Sequence, residues 1–142
     1  MPHADPVNWQ PISEMPLIAS MIDGALDDTR DQIETLTKAR TRPHLLDDAT
    51  IDRVERVHNE QLEFVDIYAQ QIRRWRTERP TSGQTRELDR LEEQNRQLRA
   101  VTVNVLSLAH ELRQGTIDRI AETSDVELGL RALLGNSPIT RR

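Results

Sequence analysis

The chain has 142 residues, a net charge of −5 at pH 7 and 36% hydrophobic residues, and it contains no cysteine. This length suits one domain, and the missing thiols exclude disulfides, thiolate nucleophiles and cysteine-ligated metals. The acidic balance argues against nucleic acid as the main partner. The first residues lack the basic start and apolar run of a secretory signal, and the most apolar segment, 101–109, is too short to span a bilayer. We therefore expect a cytoplasmic protein without a membrane partner.

The N-terminal segment, residues 1–12, contains three prolines and is expected to form an extended arm, with Trp9 docked on the body of the protein. A first helix is predicted over about 14–41. Ser13 is placed to cap its start, and Pro43 disfavours helix just before it. Its expected core stripe consists of Ile18, Met21/Ile22, Ala25/Leu26, Thr29, Ile33 and Leu36.

A second helix is predicted over about 48–79, with Asp47 or Asp48 as its cap and Pro80 as its end. Its core positions alternate between spacings of three and four, which is the seven-residue repeat of a left-handed supercoil. Additional apolar side chains widen the stripe, and a wide stripe suits a bundle of three or more helices. The repeat comprises Ile51, Val54, His58, Gln61, Val65, Tyr68, Ile72 and Trp75, and it is widened by Val57, Leu62, Phe64 and Ala69.

A third helix, over about 84–114, shows the same spacing, and Gly115 is expected to end it because glycine adopts the left-handed conformation without a Cβ penalty. The repeat comprises Leu88, Leu91, Asn95, Leu98, Thr102, Val105, Ala109 and Leu112.

The C-terminal part is predicted to contain two short helices within 116–135, followed by a flexible tail, 136–142. Ser124 and Glu127 have the spacing of a capping box, in which each side chain bonds the backbone N–H of the other residue. A leucine-rich face then offers a contact for a partner or for the bundle itself. Its members are Leu128, Leu130, Leu133 and Leu134.

These elements predict an all-α fold: an elongated, antiparallel, coiled-coil-like three-helix bundle (13–115) with a short helical C-terminal segment. Folding the chain at its two loops places several polar core residues at one central level. That layer comprises Thr29, His58, Gln61 and Thr102, and a second polar pair is expected between Tyr68 and Asn95. A satisfied polar layer fixes the register of a bundle at some cost in stability, and this is our first interpretation of it.

A ligand or metal site is the alternative interpretation of the layer. Glu55 and His58 have the Glu-x-x-His spacing used by helical di-metal proteins, which need two such pairs and two further glutamates. The sequence has one pair, so these two residues are weak metal candidates and no cofactor is expected. No catalytic serine turn and no phosphate-binding glycine loop is present, which favours a protein that is not an enzyme.

A basic cluster ends the second helix, where cations favour the helix dipole. Its members are Arg73, Arg74, Arg76 and Arg79. An anion or nucleic-acid contact is the alternative interpretation of this cluster, but exposed aromatic residues do not alternate with these arginines. Acidic residues of the first helix are expected to pair with this basic end, within one chain or between chains.

The leading functional hypothesis is a non-enzymatic interaction or assembly module that forms a homo-oligomer or binds a helical partner. It depends on the wide apolar stripes and the leucine-rich C-terminal face. The second hypothesis is a helical-bundle ligand- or metal-binding protein, or an enzyme, with a central site around His58 and Gln61. An anion or nucleic-acid contact through the arginine cluster is the third.

Overall fold

The computed structural model describes the backbone of residues 7–42 and 46–133, and the side chains of 7–42 and 46–115. Three α-helices follow a single 3-10 turn, Ile12–Glu14. They are α1 (Met15–Thr41), α2 (Asp48–Arg76) and α3 (Ser82–Leu133). The described residues form no strand, so the predicted all-α three-helix bundle is confirmed.

Helix α3 is the central element, because α1 and α2 both pack along it while their backbones make few close approaches to each other. Cross-helix pairs give the directions. Asp23 and Arg30 of α1 meet Arg90 and Gln97 of α3, so these two helices run parallel. Helix α2 runs antiparallel to both, as the short loops predict.

The seven-residue repeats form the core as predicted. In α3 all eight repeat positions are buried, and in α2 seven of the eight are buried while Gln61 is partly exposed. Two apolar clusters result, separated by a polar level. One is centred on Ile22, Leu26, Trp75, Leu88, Leu91 and Leu98, and the other on Leu36, Ile51, Val105, Ala109 and Leu112.

The predicted cap of α1 is wrong. Ser13 lies in the 3-10 turn, and the residue before α1 is Glu14, which makes no side-chain capping bond. Pro16 falls in the first helical turn, where its missing N–H has no intrahelical partner to lose. The helix therefore continues from the 3-10 turn without a capping side chain.

Helix α2 has the predicted start and an earlier end. Asp47 is the cap and accepts the Thr50 N–H at 2.8 Å, and the hydrogen bonds from Thr50 hold the pKa of Asp47 below its usual range. The helix ends at Arg76, three residues before the predicted end. Arg79 adopts a left-handed φ of 53°, consistent with the exclusion of helical conformation just before Pro80.

Helix α3 begins at Ser82, after a reciprocal cap between Thr81 and Gln84. The Gln84 N–H donates to Thr81 Oγ1 at 3.1 Å, and the Thr81 N–H donates to Gln84 Oε1 at 2.9 Å. This is the arrangement of a capping box, with threonine first and glutamine three residues later.

The predicted end of this helix at Gly115 is wrong, because α3 continues to Leu133. A glycine lowers helix stability by about 1 kcal/mol relative to alanine, which is too little to stop a helix without a competing left-handed turn. The two short helices predicted within 116–135 are therefore part of one helix as far as Leu133. The side chains of the Ser124/Glu127 pair and of the leucine-rich face, and all of 134–142, lie outside the described residues.

Candidate functional site

The central polar layer is built around one amide group. Gln61 of α2 donates its Nε2 hydrogens to Thr29 Oγ1 on α1 and to Thr102 Oγ1 on α3, each at 2.8 Å. Both threonine hydroxyls in turn donate to carbonyls of their own helices four residues back, at 2.7 and 2.6 Å. One side chain thus connects all three helices, at the level that the sequence placed it.

His58 lies beside this layer but does not hydrogen-bond to it. Its Nδ1 is 2.7 Å from the carbonyl oxygen of Val54 one turn earlier. A carbonyl can only accept, so Nδ1 carries the hydrogen, and in the neutral ring Nε2 is then an acceptor. Nε2 has no partner among the described residues. The residue as a whole is 7% exposed, so His58 is a largely buried residue with one unused nitrogen.

The predicted hydrogen-bonded pair of Tyr68 and Asn95 is not formed. Asn95 donates its Nδ2 to the carbonyl of Val65 at 3.0 Å, and its buried Oδ1 has no partner in the described part of the chain. Tyr68 stacks on Phe64 with ring centroids 6.2 Å apart, and burial raises the pKa of its phenol. The two residues share a level of the bundle without bonding each other.

Glu55 is not a partner of His58. Its carboxylate accepts from Arg113 of α3 at 2.5 Å, and the same guanidinium reaches Asp52 at 2.6 Å. Within the ranges described, no three histidine or acidic side chains come close enough together to hold a metal ion. Glu55, the first residue of the Glu-x-x-His pattern, therefore belongs to an interhelical ion pair with Arg113.

An open groove runs between α1 and α2, since both helices pack on α3 and leave their facing flanks apart. We call it the α1–α2 groove. Its floor includes Thr29, His58 and Gln61, and its walls include Met21 and Val57. Gly24 also lines it, and a Cβ at that position would meet nothing within 4 Å.

The rims of the groove carry apolar side chains, Met21 on α1 and Val57 on α2. Leu17 lies one turn before Met21 on α1, and Phe64 lies two turns after Val57 on α2, which places each pair on one helix face. All four side chains are large and between 43% and 52% exposed. Met21, predicted together with Ile22 at one step of the α1 stripe, and Val57 and Phe64, predicted to widen the α2 stripe, are exposed, whereas Ile22 is buried. The buried stripes are therefore narrower than predicted at these positions.

The four members of the arginine cluster lie in four different environments. The Arg74 guanidinium lies over the Trp9 ring, 4.4 Å from its centroid. Arg76 pairs with Asp89 and Glu92 of α3 at 2.9 and 2.6 Å. Arg73 lines a pocket between α2 and α3 and makes no ion pair among the described residues, and Arg79 lies in the turn.

Asp23, an acidic residue of α1, pairs within the chain, but with Arg90 of α3 and not with the arginine cluster that ends α2. Asp23 receives a two-pronged contact from Arg90, with N–O distances of 3.1 and 3.0 Å. Arg90 also binds Glu87 one turn before it on α3. The hydrogen bonds from Arg90 hold the pKa values of both carboxyl groups below their usual range.

The N-terminal arm is fixed to α2 by contacts that the sequence did not reveal. Gln71 is 3% exposed, and its Oε1 accepts the Gln10 N–H at 2.8 Å while its Nε2 donates to the Gln10 carbonyl at 3.3 Å. The Trp75 indole N–H donates to the same carbonyl at 2.8 Å. Gln71 falls outside the seven-residue repeat, so the repeat gave no signal for its burial.

The chain matches no protein-family model, no curated protein and no solved structure. Of the helices in the described ranges, none carries an apolar stretch long enough to cross a membrane.

Proposed function

We propose that this protein is a non-enzymatic helical assembly module, and that it self-associates through the α1–α2 groove. The observation that carries the proposal is the pair of apolar rims. Large apolar side chains that are exposed singly are ordinary on a protein surface. Here two of them, Met21 and Val57, line opposite sides of one groove, and Leu17 and Phe64 extend the same helix faces. Such a grouping of exposed apolar side chains is typical of an interaction site.

A second copy of the chain is the partner that we propose for this groove. In a symmetric dimer the same patch of each copy faces the other, so each groove both offers and receives apolar side chains. Burying this surface contributes about 25 cal/mol for each Å² of apolar area removed from water. Gly24 of α1 has no side chain, and a Cβ at its position would meet nothing within 4 Å. A neighbouring helix could therefore approach the α1 backbone closely at this point.

Light scattering on the purified protein across micromolar concentrations tests this proposal. We expect the unaltered protein to have the mass of a dimer or higher oligomer. The variant Gly24→Arg places a long side chain in the groove and should have the mass of a monomer. Thr37→Arg is the matched control, since Thr37 is exposed on the same helix and does not line the groove. A monomeric mass for the unaltered protein at every concentration would refute the proposal.

The C-terminal leucine-rich face is the other candidate contact for self-association. A chain without residues 124–142 separates the two possibilities in the same measurement. Retained assembly would assign the contact to the α1–α2 groove, whereas weakened assembly would assign part of it to the C-terminal segment.

A second candidate function is ligand or metal binding at the floor of the groove, around His58 and Gln61. It is favoured by the unused Nε2 of His58 and by Asp28, a titratable side chain that lines the same groove. Melting with added metals, described in the Discussion, tests this candidate.

A further inference from the structure

The arm contact has the form of a binding site that recognises peptide backbone. Gln71, Arg74 and Trp75 lie within about one turn of α2, and together they contact two residues of the arm. The amide of Gln71 bonds both the N–H and the carbonyl of Gln10, and the Trp75 indole bonds that carbonyl a second time. The Arg74 guanidinium covers the Trp9 ring.

The side chain of Gln10 takes no part in this recognition. Its Nε2 donates to the carbonyl of Asn8 within the arm, at 3.0 Å. The site therefore requires an extended backbone at this position and an aromatic side chain one residue before it, whichever side chain follows at position 10.

The site also needs an occupant. Trp75 is fully buried and Gln71 nearly so, and their polar groups find their partners in the arm. If the arm left, an indole N–H and a primary amide would lose these hydrogen bonds and would need other partners. Any segment with the same backbone geometry would restore them.

Proline favours the extended geometry that the arm has in the docking site. Pro11 has φ −68° and ψ 158°, and a proline biases the residue before it, here Gln10, towards extended backbone. Such preorganisation lowers the entropy lost on binding. The body begins immediately after Pro11 with the 3-10 turn at Ile12.

We infer that Gln71, Arg74 and Trp75 form a docking site for an extended tryptophan-containing peptide, and that in the assembled protein it takes the arm of a second copy. Exchange of an identical segment re-forms the same contacts between copies, so it has a low cost in contact energy. The choice of a second copy as the donor rests on the proposed self-association. The docking site itself depends only on the arm contacts.

Peptide binding to the full-length variant Trp9→Ala tests the docking site, because this change weakens the protein's own arm. A fluorescein-labelled peptide of residues 5–14 is added, and its anisotropy is measured. We expect saturable binding, and no binding of the same peptide with alanine in place of tryptophan. Absence of binding at millimolar peptide, or equal binding of the two peptides, would overturn the site.

Two further variants locate the binding. Gln71→Leu combined with Trp9→Ala removes the amide that reads the backbone, and should abolish binding. Arg74→Gln, at an exposed position, leaves the core intact and should weaken binding about threefold through loss of the cation–π contact. Circular dichroism verifies that each variant is folded. Unchanged affinity in a folded Arg74→Gln variant would contradict the assigned geometry.

Exchange between copies is tested by mixing two full-length chains that both carry Gly24→Arg. One chain also carries Trp9→Ala, which removes the aromatic side chain of its arm. The other carries Gln71→Leu, which removes the amide of its docking site. We expect light scattering to show a mixed pair that neither chain forms alone. Peptide binding without a mixed pair would refute exchange, and a failure of the groove proposal would leave the peptide result unaffected.

Discussion

Gln61 on α2 and Thr102 on α3 are joined by a hydrogen bond of 2.8 Å in which the glutamine amide is the donor. The threonine hydroxyl does not depend on this bond for its own hydrogen, which it donates to the carbonyl of Leu98. The hydroxyl of Thr29 is engaged in the same way with Ala25. Removing the amide therefore leaves no buried donor without a partner on either threonine.

We accordingly expect Gln61→Leu to change the free energy of unfolding by no more than about 1 kcal/mol, since apolar packing of the leucine offsets the loss of the two hydrogen bonds that Gln61 donates. The change should instead reduce specificity, giving mixed oligomers or a broader transition. Urea denaturation and light scattering measure the two effects. Gln70→Leu, at an exposed position of the same helix, is the control. A loss of several kcal/mol would show that the amide stabilises the bundle.

The metal alternative has its own test. The double variant His58→Leu, Gln61→Leu removes the unused imidazole nitrogen and the amide next to it, and it is melted with and without divalent metals beside the unaltered protein. We expect no metal to raise the melting temperature of the unaltered protein, because in the described part of the chain no three histidine or acidic side chains lie close enough together to hold a metal ion. A strong rise with one metal, absent in the double variant, would establish the metal site instead.

The fold was predictable from sequence because the spacing of apolar residues fixes which face of each helix is buried. Leu88, Val105 and Trp75 are fully buried, as their repeat positions require. The repeat does not determine which helices become neighbours. Met21 and Val57 were included in the predicted stripes for that reason, although they line a groove that exists because α1 and α2 both pack on α3.

The polar residues show the same limit. The level of Gln61 followed from loop positions and helix rise, so its neighbours Thr29 and Thr102 were predictable. The partner of His58 was not, because the carbonyl of Val54 belongs to its own helix and competes with any bond across the bundle. The burial of Gln71 was not predicted, because it depends on contacts with the backbone of the N-terminal arm. Such contacts do not produce a periodic pattern in the sequence.

The cap of α3 was readable in the sequence, since Thr81 and Gln84 have the spacing of a capping box. We expect Thr81→Ala to lower the free energy of unfolding by about 1 kcal/mol, because the Gln84 N–H loses its acceptor at the start of the helix. Denaturation by urea measures it, with the exposed neighbour substitution Ser82→Ala as control. Equal stability of the two variants would mean that the reciprocal cap contributes nothing in solution.

Gly115 provides a test of the continuous third helix. Alanine is favoured over glycine within a helix by about 0.5–1 kcal/mol, and a Cβ at this position would meet nothing within 4 Å. Gly115→Ala should therefore stabilise the protein by that amount and increase its helical circular dichroism. Destabilisation would contradict the structure, since it is the result expected if this glycine ended the helix in a left-handed conformation.

The pair of Arg90 and Asp23 links stability to acidic pH. Its hydrogen bonds hold the pKa of Asp23 below the ordinary value of 3.8, and Arg90 lowers that of Glu87 from 4.5 in the same way. A carboxyl group whose pKa is lower in the folded state stabilises the protein above its unfolded pKa, and this contribution is lost as the pH falls through the folded pKa. Arg90→Gln should thus reduce the free energy of unfolding at neutral pH, by no more than about 1 kcal/mol because these groups are partly exposed. The difference from the unaltered protein should shrink steadily below about pH 4.5 as both carboxyl groups become protonated.

Arg86→Gln is the control, because Arg86 is exposed on the same helix and makes no ion pair among the described residues. Urea denaturation at a series of pH values measures both variants, and a difference for Arg90→Gln that stayed constant down to strongly acidic pH would show that its effect comes from lost packing and not from charge.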